Sequence, residues 1–210
     1  MIKLNAVTKK LKGKAVLDGV SVAFEKGKLY LLRGHNGSGK TMLLRLLCDL
    51  LTPTSGTIEK PEYTYGVVIE TPNFILHETA RQNLKFLASI QKKIGMKEIE
   101  KSLEEVHLFG EIDVKVKNYS LGMKQRLGFC QAVMENPDVL LLDEPFNALD
   151  DEHFDLILNR IVEMKKDKIV VIAAHGFDTE KYPVFDQVIT LNNGKVTQIE
   201  EPATCRLMEE

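Results

Sequence analysis

Gly34, His35, Asn36, Gly37, Ser38, Gly39, Lys40 and Thr41 complete the pattern G-x-x-x-x-G-K-[ST]. The three glycines permit backbone angles that a Cβ would forbid, so successive N–H groups can converge on phosphate oxygens at the positive end of a helix dipole. Lys40 adds a point charge for the terminal phosphates, and Thr41 offers a hydroxyl to Mg²⁺. A glycine turn that only enters a helix needs neither of them. The flanks agree with a phosphate loop: Leu29-Tyr30-Leu31-Leu32 reads as a buried strand, and Met42, Leu43, Leu46, Leu47 and Leu50 recur at helical spacing.

About a hundred residues on, the apolar run Val139-Leu140-Leu141-Leu142 leads into Asp143-Glu144-Pro145. A core strand ending in two acids brings carboxylates to the edge of a site. Asp143 is assigned to Mg²⁺, directly or through water, and Glu144 to the attacking water as general base. An apolar strand ending in two acids can also be a solvated strand end; the phosphate loop upstream favours the catalytic reading.

Between these two elements lies Tyr119-Ser120-Leu121-Gly122-Met123-Lys124-Gln125-Arg126-Leu127. This segment resembles the signature of the ATP-binding cassette (ABC) family. The resemblance implies that the Ser120 hydroxyl and the Gly122 backbone contact the γ-phosphate of ATP held by an opposite cassette. Leu121 and Met123 replace the commonest glycine and glutamine without removing those donors. Met123, Leu127, Cys130 and Met134 share one apolar helix face, so Ser120 falls near a helix N-terminus that favours an anion. A serine cap without a ligand is the plainer alternative.

By the same resemblance, Asn147-Ala148-Leu149-Asp150 looks like the loop that carries contacts across a cassette dimer, with Asp150 among the nucleotide-site residues. His175, after the apolar run at residues 169–173, looks like the histidine that senses the γ-phosphate. The resemblance spans residues 2–197. It implies ATP and Mg²⁺ as ligands, ATP hydrolysis, a second cassette, homo- or heteromeric, and separate transmembrane permease subunits.

Two positions depart from the commonest family pattern. Glu70, in Val68-Ile69-Glu70-Thr71-Pro72-Asn73-Phe74, stands where a glutamine usually touches Mg²⁺ and the water. A carboxylate can ligate the same metal but adds negative charge near Glu144. The form I-E-x-P-x-F is similar to the bacitracin- and lantibiotic-resistance and ABC-2-type export branch, which points to export or self-protection. Leu11 stands where an aromatic ring often stacks on adenine.

The 210 residues, with no internal repeat, suit a single composite cassette, with 44% hydrophobic residues for its core. No apolar stretch reaches the roughly 18 residues that a membrane helix needs. Met1-Ile2-Lys3-Leu4-Asn5 has no leader-like apolar region, so the chain is expected in the cytoplasm, peripheral to the cytoplasmic face of a membrane. A formal charge of −2 gives no general attraction for nucleic acid, and none is expected as a partner. Cys48, Cys130 and Cys205 are odd in number and far apart, which reads as free thiols.

Alternation at Ile2, Leu4 and Ala6 and at Val20, Val22 and Phe24 predicts an N-terminal antiparallel β layer. Helical spacing marks Leu84, Leu87 and Ile90, then Ile99, Leu103 and Val106, giving an inserted helical subdomain over about 72–137. Phe154, Ile157, Leu158 and Ile161 mark a helix linking two strands of a parallel sheet, and Asn192-Asn193-Gly194 a terminal hairpin. The predicted fold is α/β: a P-loop NTPase core with a parallel sheet, carried in one cassette over 1–210. Two other ABC classes stay in view. DNA-handling ATPases interpose long coiled coils or zinc modules between loop and signature, against about eighty residues here without heptads or cysteine pairs. Ribosome-acting proteins resemble two cassettes in one chain, and a module that only binds nucleotide has no need of Glu144.

Overall fold

Strands β1 (Ile2–Leu11) and β2 (Lys14–Phe24) pair antiparallel, burying Ile2, Leu4 and Val7 against Val20, Val22 and Phe24. The expected alternation breaks at Ala6, which is exposed with φ 48°. A register shift between Leu4 and Val7 turns Val7 inward instead, as an extra residue in one strand does. Helix α1 (Lys40–Leu47) starts inside the glycine loop and ends before Leu50, which is 63% exposed rather than part of the helical face. Strand β4 (Ser55–Glu59) completes an antiparallel layer of order β2-β1-β4. It is almost wholly exposed, so it lacks the alternation that flags a strand in sequence.

Strand β3 (Lys28–Arg33) sends Leu29 and Leu31 into one core and Tyr30 and Leu32 into the other, as side chains of a strand covered on both faces do. It sits inside a six-stranded sheet of order β5-β6-β7-β3-β8-β9, with β5 (Tyr65–Val68), β6 (Val139–Asp143), β7 (Ile169–Ala174), β8 (Gln187–Asn192) and β9 (Lys195–Glu200). All pairs are parallel except the terminal hairpin β8-β9. In register, Asp143 lies opposite Ala173 and Arg33 opposite Ala174. The ends of β3, β6 and β7 therefore open on one edge of the sheet, where ligands bind in open α/β sheets.

Between β5 and β6 run α2 (Ala80–Gln91), α3 (Met96–Glu104) and α4 (Leu121–Val133); α5 (Asp151–Met164) joins β6 to β7. Side-chain caps start α2, α4 and α5, whereas α1 leaves Gly39 without one. Ser120 Oγ accepts from Met123 N–H at 3.1 Å and Asp150 from His153 N–H at 2.9 Å, while Thr79 and Gln82 form a capping box on α2. Leu84, Ile99, Leu103 and Val106 are buried as expected, but Ile90 is 67% exposed at the open end of α2. The computed structural model describes residues 1–70 and 72–202. Among them no helix is long and apolar enough to cross a membrane. Cys48 and Cys130 are free thiols, burial pushing the Cys130 thiol up, and Cys205 lies outside the described residues.

Candidate active site

The loop leaving β3 can reach α1 only by turning through glycine. Gly39 precedes the helix at φ 108°, a conformation that side chains disfavour, and a Cβ there would stand 2.8 Å from Leu17 and 3.0 Å from the Val16 carbonyl. A Cβ on Gly34 would run into the Leu191 carbonyl and the Ser38 hydroxyl. Lys40 is buried, and its Nζ donates to the carbonyls of Gly34 at 2.7 Å and His35 at 3.3 Å, so the ammonium is curled over the loop. His35, Asn36 and Gly37 are exposed, whereas Ser38 is fully buried with its hydroxyl unpartnered. The His35 ring bridges Asn36 O at 2.8 Å and Asn192 Oδ1 at 3.3 Å, which ties the loop to the terminal hairpin.

Thr41, in the first turn of α1, donates through Oγ1 to Asp143 Oδ2 at 2.6 Å, across 102 positions of sequence. Burial raises the Asp143 carboxyl above its usual range; Thr41 opposes the shift, and the charges of Glu144 and Glu70 add to it. A cavity of about 260 Å³ opens beside this pair, lined by Val16, Gly37, Lys40, Thr41, Asp143 and Glu144 among others. Among the described residues no three His, Cys, Asp or Glu side chains converge as a metal site. The Thr41 hydroxyl and Asp143 carboxylate instead form a two-oxygen set, which fits Mg²⁺ because that ion keeps waters and phosphate oxygens in the rest of its shell. A buried ammonium, a loop of backbone donors whose turns rest on glycine and an adjoining oxygen pair together fit a nucleoside triphosphate with its metal.

Glu144 adopts φ 49° immediately after β6, anchored by its N–H donating to Ala173 O at 2.8 Å. One of its oxygens, Oε1, receives the His175 backbone N–H at 3.1 Å and lies 2.7 Å from His175 Nδ1. The chain thus brings Thr41, from the first turn of α1, together with Asp143, Glu144 and His175 at the ends of the neighbouring strands β6 and β7. Gln125 of α4 donates from Nε2 to the Glu144 carbonyl at 3.2 Å, a contact that the sequence reading left without a role.

The other expected site residues stand apart from this cluster. Ser120 is exposed at the start of α4, and Gly122 packs so closely on the loop before α5 that a Cβ would stand 2.7 Å from Ala148 O. The Asp150 carboxylate is engaged within its own helix, accepting from His153 N–H and lying 2.6 Å from His153 Nδ1; those contacts hold it below the usual carboxylate range. Glu70, at φ 63°, directs Oε1 to Arg45 at 2.6 Å. Leu11 is 43% exposed at the end of β1 and is absent from the residues lining the 260 Å³ cavity, where Val16 stands instead. Val16 carried no signal in sequence, because one valine in an early strand looks like any core residue.

A glycine loop feeding a helix beside a parallel sheet, with a carboxylate pair at the end of the strand two places away, defines a P-loop nucleotide hydrolase. A family model described as ABC transporter matches residues 17–147, and the chain belongs to that family as an ATP-binding cassette with ATPase activity. It is 38% identical over 211 residues, covering 96% of this chain and 97% of the relative, to the uncharacterized ABC transporter ATP-binding protein YybJ of Bacillus subtilis (strain 168). The bacitracin transport ATP-binding protein BcrA of Bacillus licheniformis is 33% identical over 210 residues, 94% of this chain and 69% of that protein. The solved dimeric structure of MJ0796, a bacterial ABC transporter cassette, superposes with a TM-score of 0.86 at 26% identity, covering 96% and 98% of the two chains.

Proposed function

We propose that this cassette, a single unit over residues 1–210 with a helical subdomain at about 72–137, works as one of a pair of ATPases that drive export through separate membrane subunits at the cytoplasmic face. The observation that carries the reading is the 2.6 Å bond between Thr41 and Asp143 beside the Glu144–His175 contact, which unites phosphate loop, metal oxygens and base at one sheet edge. Residues 34–41 cradle the phosphates of ATP, with Lys40 as their charge partner. Thr41 and Asp143 hold Mg²⁺, with Glu70 as a third oxygen donor. Bound there, the metal supplies positive charge against the charge that builds on the phosphates.

Glu144 accepts the proton of the attacking water, and His175 holds its carboxylate in place. Ser120, exposed, and Gly122, half-buried, at the start of the signature helix reach the γ-phosphate on a second cassette, and Asp150 lies in the loop that meets it. ATP then closes the pair and hydrolysis releases it. Export is supported by likeness to bacitracin transport ATP-binding proteins and by the run Ile69-Glu70-Thr71-Pro72-Asn73-Phe74. The membrane subunits choose the transported substrate, and their seat is the segment over residues 71–86 beside Glu70.

The test is Glu144→Gln. This variant should bind ATP, hydrolyse it about a hundredfold more slowly or worse, and accumulate a dimer at saturating ATP and Mg²⁺, seen by light scattering. Monomers only, under those conditions, would sink closure through Ser120.

A further inference from the structure

Resting on the reading of the nucleotide site above, we infer that Arg45 is a charge-balancing and positioning residue for Glu70, without which a glutamate at that position would repel the triphosphate. A second cavity, of about 310 Å³, adjoins the first and is lined by Glu70, Asp143 and Glu144 together with Leu121, Gln125 and Asn147. Three carboxylates face it and no lysine or arginine does, among the described residues. Asp143 and Glu144 also line the cavity beside residues 34–41, which Glu70 does not, so the charge of Glu70 acts on an anionic ligand there across the wall that the two cavities share.

Arg45 lies four positions after Thr41 on α1, one turn along the helix that begins in the phosphate loop. From the same helix, Thr41 reaches Asp143 at 2.6 Å and Arg45 reaches Glu70 at 2.6 Å. One rigid element therefore fixes both outer carboxylates. Glu70 needs such a tie, because its φ of 63° is a conformation that a long side chain adopts at a cost and keeps only when neighbours hold it. Arg45 is 32% exposed and Glu70 66%, so the pair is accessible to salt and its electrostatic share is measurable by screening.

ATP dissociation constants in EDTA, so that no metal contributes, test the inference at low and high salt. At low salt Arg45→Met should weaken ATP binding about three- to tenfold, Arg45→Lys should stay near the parent, and Glu70→Gln, which leaves Arg45 uncompensated, should tighten it. The double variant Arg45→Met with Glu70→Gln should return to within about twofold of the parent, and all differences should shrink at high salt. A loss in Arg45→Met that persists in the double variant or ignores salt would show that Arg45 only packs α1, and would overturn the inference. Absence of any loss would overturn it equally, and the opposite shift expected of Glu70→Gln keeps the test decisive if Arg45→Met does not fold. Lys40→Ala measured alongside separates the two readings: lost binding there upholds the nucleotide site whatever Arg45 does, and retained binding overturns the site itself.

Discussion

His175 holds Glu144 twice through one oxygen: its backbone N–H donates to Oε1 at 3.1 Å and its Nδ1 lies 2.7 Å from the same atom. For Glu144 to act as a general base the contact needs a proton on Nδ1, since a carboxylate only accepts. The other oxygen of Glu144 has no part in either contact. A carboxylate fixed in this way keeps one oxygen clear, as the proposed role with water needs, while its backbone is pinned to Ala173.

His175→Ala removes the ring and leaves the backbone donor. Hydrolysis should fall about ten- to a hundredfold, while the ATP dissociation constant stays within about threefold, since the phosphate contacts proposed for Lys40 and the loop N–H groups do not involve the histidine. Steady-state turnover and a nucleotide titration on one preparation check both halves. Unchanged turnover would remove His175 from the mechanism.

Gly122→Ala places a methyl group 2.7 Å from the Ala148 carbonyl, too close for either backbone to stay where it is. The signature helix and the loop before α5 must part by some tenths of an ångström, which misaligns Ser120 and Asp150 together. ATP binding to the single cassette should remain near parental, because residues 34–41 are untouched, while ATP-dependent dimerisation in the Glu144→Gln background weakens at least tenfold. Sedimentation with ATP and Mg²⁺ reads the difference, and an undiminished dimer would show that this close packing does not govern the second surface.

Asp138, just before β6, is held down to about 2 by Lys26 at 2.9 Å and by the N–H and hydroxyl of Thr64. Its carboxyl is depressed in the folded chain, so its stabilisation is complete above the unfolded value near 4 and is lost as pH falls through about 2. The pair is exposed, so Asp138→Asn should cost only about 1 kcal/mol at pH 5. Urea midpoints for both proteins should converge between about pH 4 and 2. A constant gap down to pH 2 would mean that the charge contributes nothing.

Residues 34–41, Asp143, Glu144 and His175 were legible because each sits where a strand ends, and an apolar run followed by special residue types marks such a place without knowledge of its neighbours. The six-strand order could not be read that way, since parallel pairing joins β3 to β7 across more than a hundred residues and leaves no local trace. Strand β4 was missed because exposed edge strands have no buried face to imprint on the sequence. Arg45 and Gln125 were invisible for a different reason: each acts on a residue far along the chain, Glu70 and Glu144, through a single hydrogen bond. The helical stripe failed at Leu50 and Ile90, where an apolar residue of the right spacing lies at or beyond a helix end and faces water.

Val16, rather than Leu11, walls the cavity beside the phosphate loop, its carbonyl standing close over Gly39. An aliphatic wall supplies area to an adenine ring but no π-face, and the missing stacking is worth roughly 0.5–1.5 kcal/mol, up to about tenfold in affinity. Phosphate and metal contacts ignore the base, so GTP should bind within a few-fold of ATP. Val16→Tyr should tighten ATP severalfold and leave maximal turnover little changed, because the gain is present equally in ground and transition states. Leu11→Tyr, at an exposed position off the cavity, should change neither. Titrating both nucleotides against the three proteins decides between the positions: a gain from tyrosine at Leu11 and none at Val16 would return adenine to the tip of β1, and a strong parental preference for ATP would mean that a polar group reads the base edge.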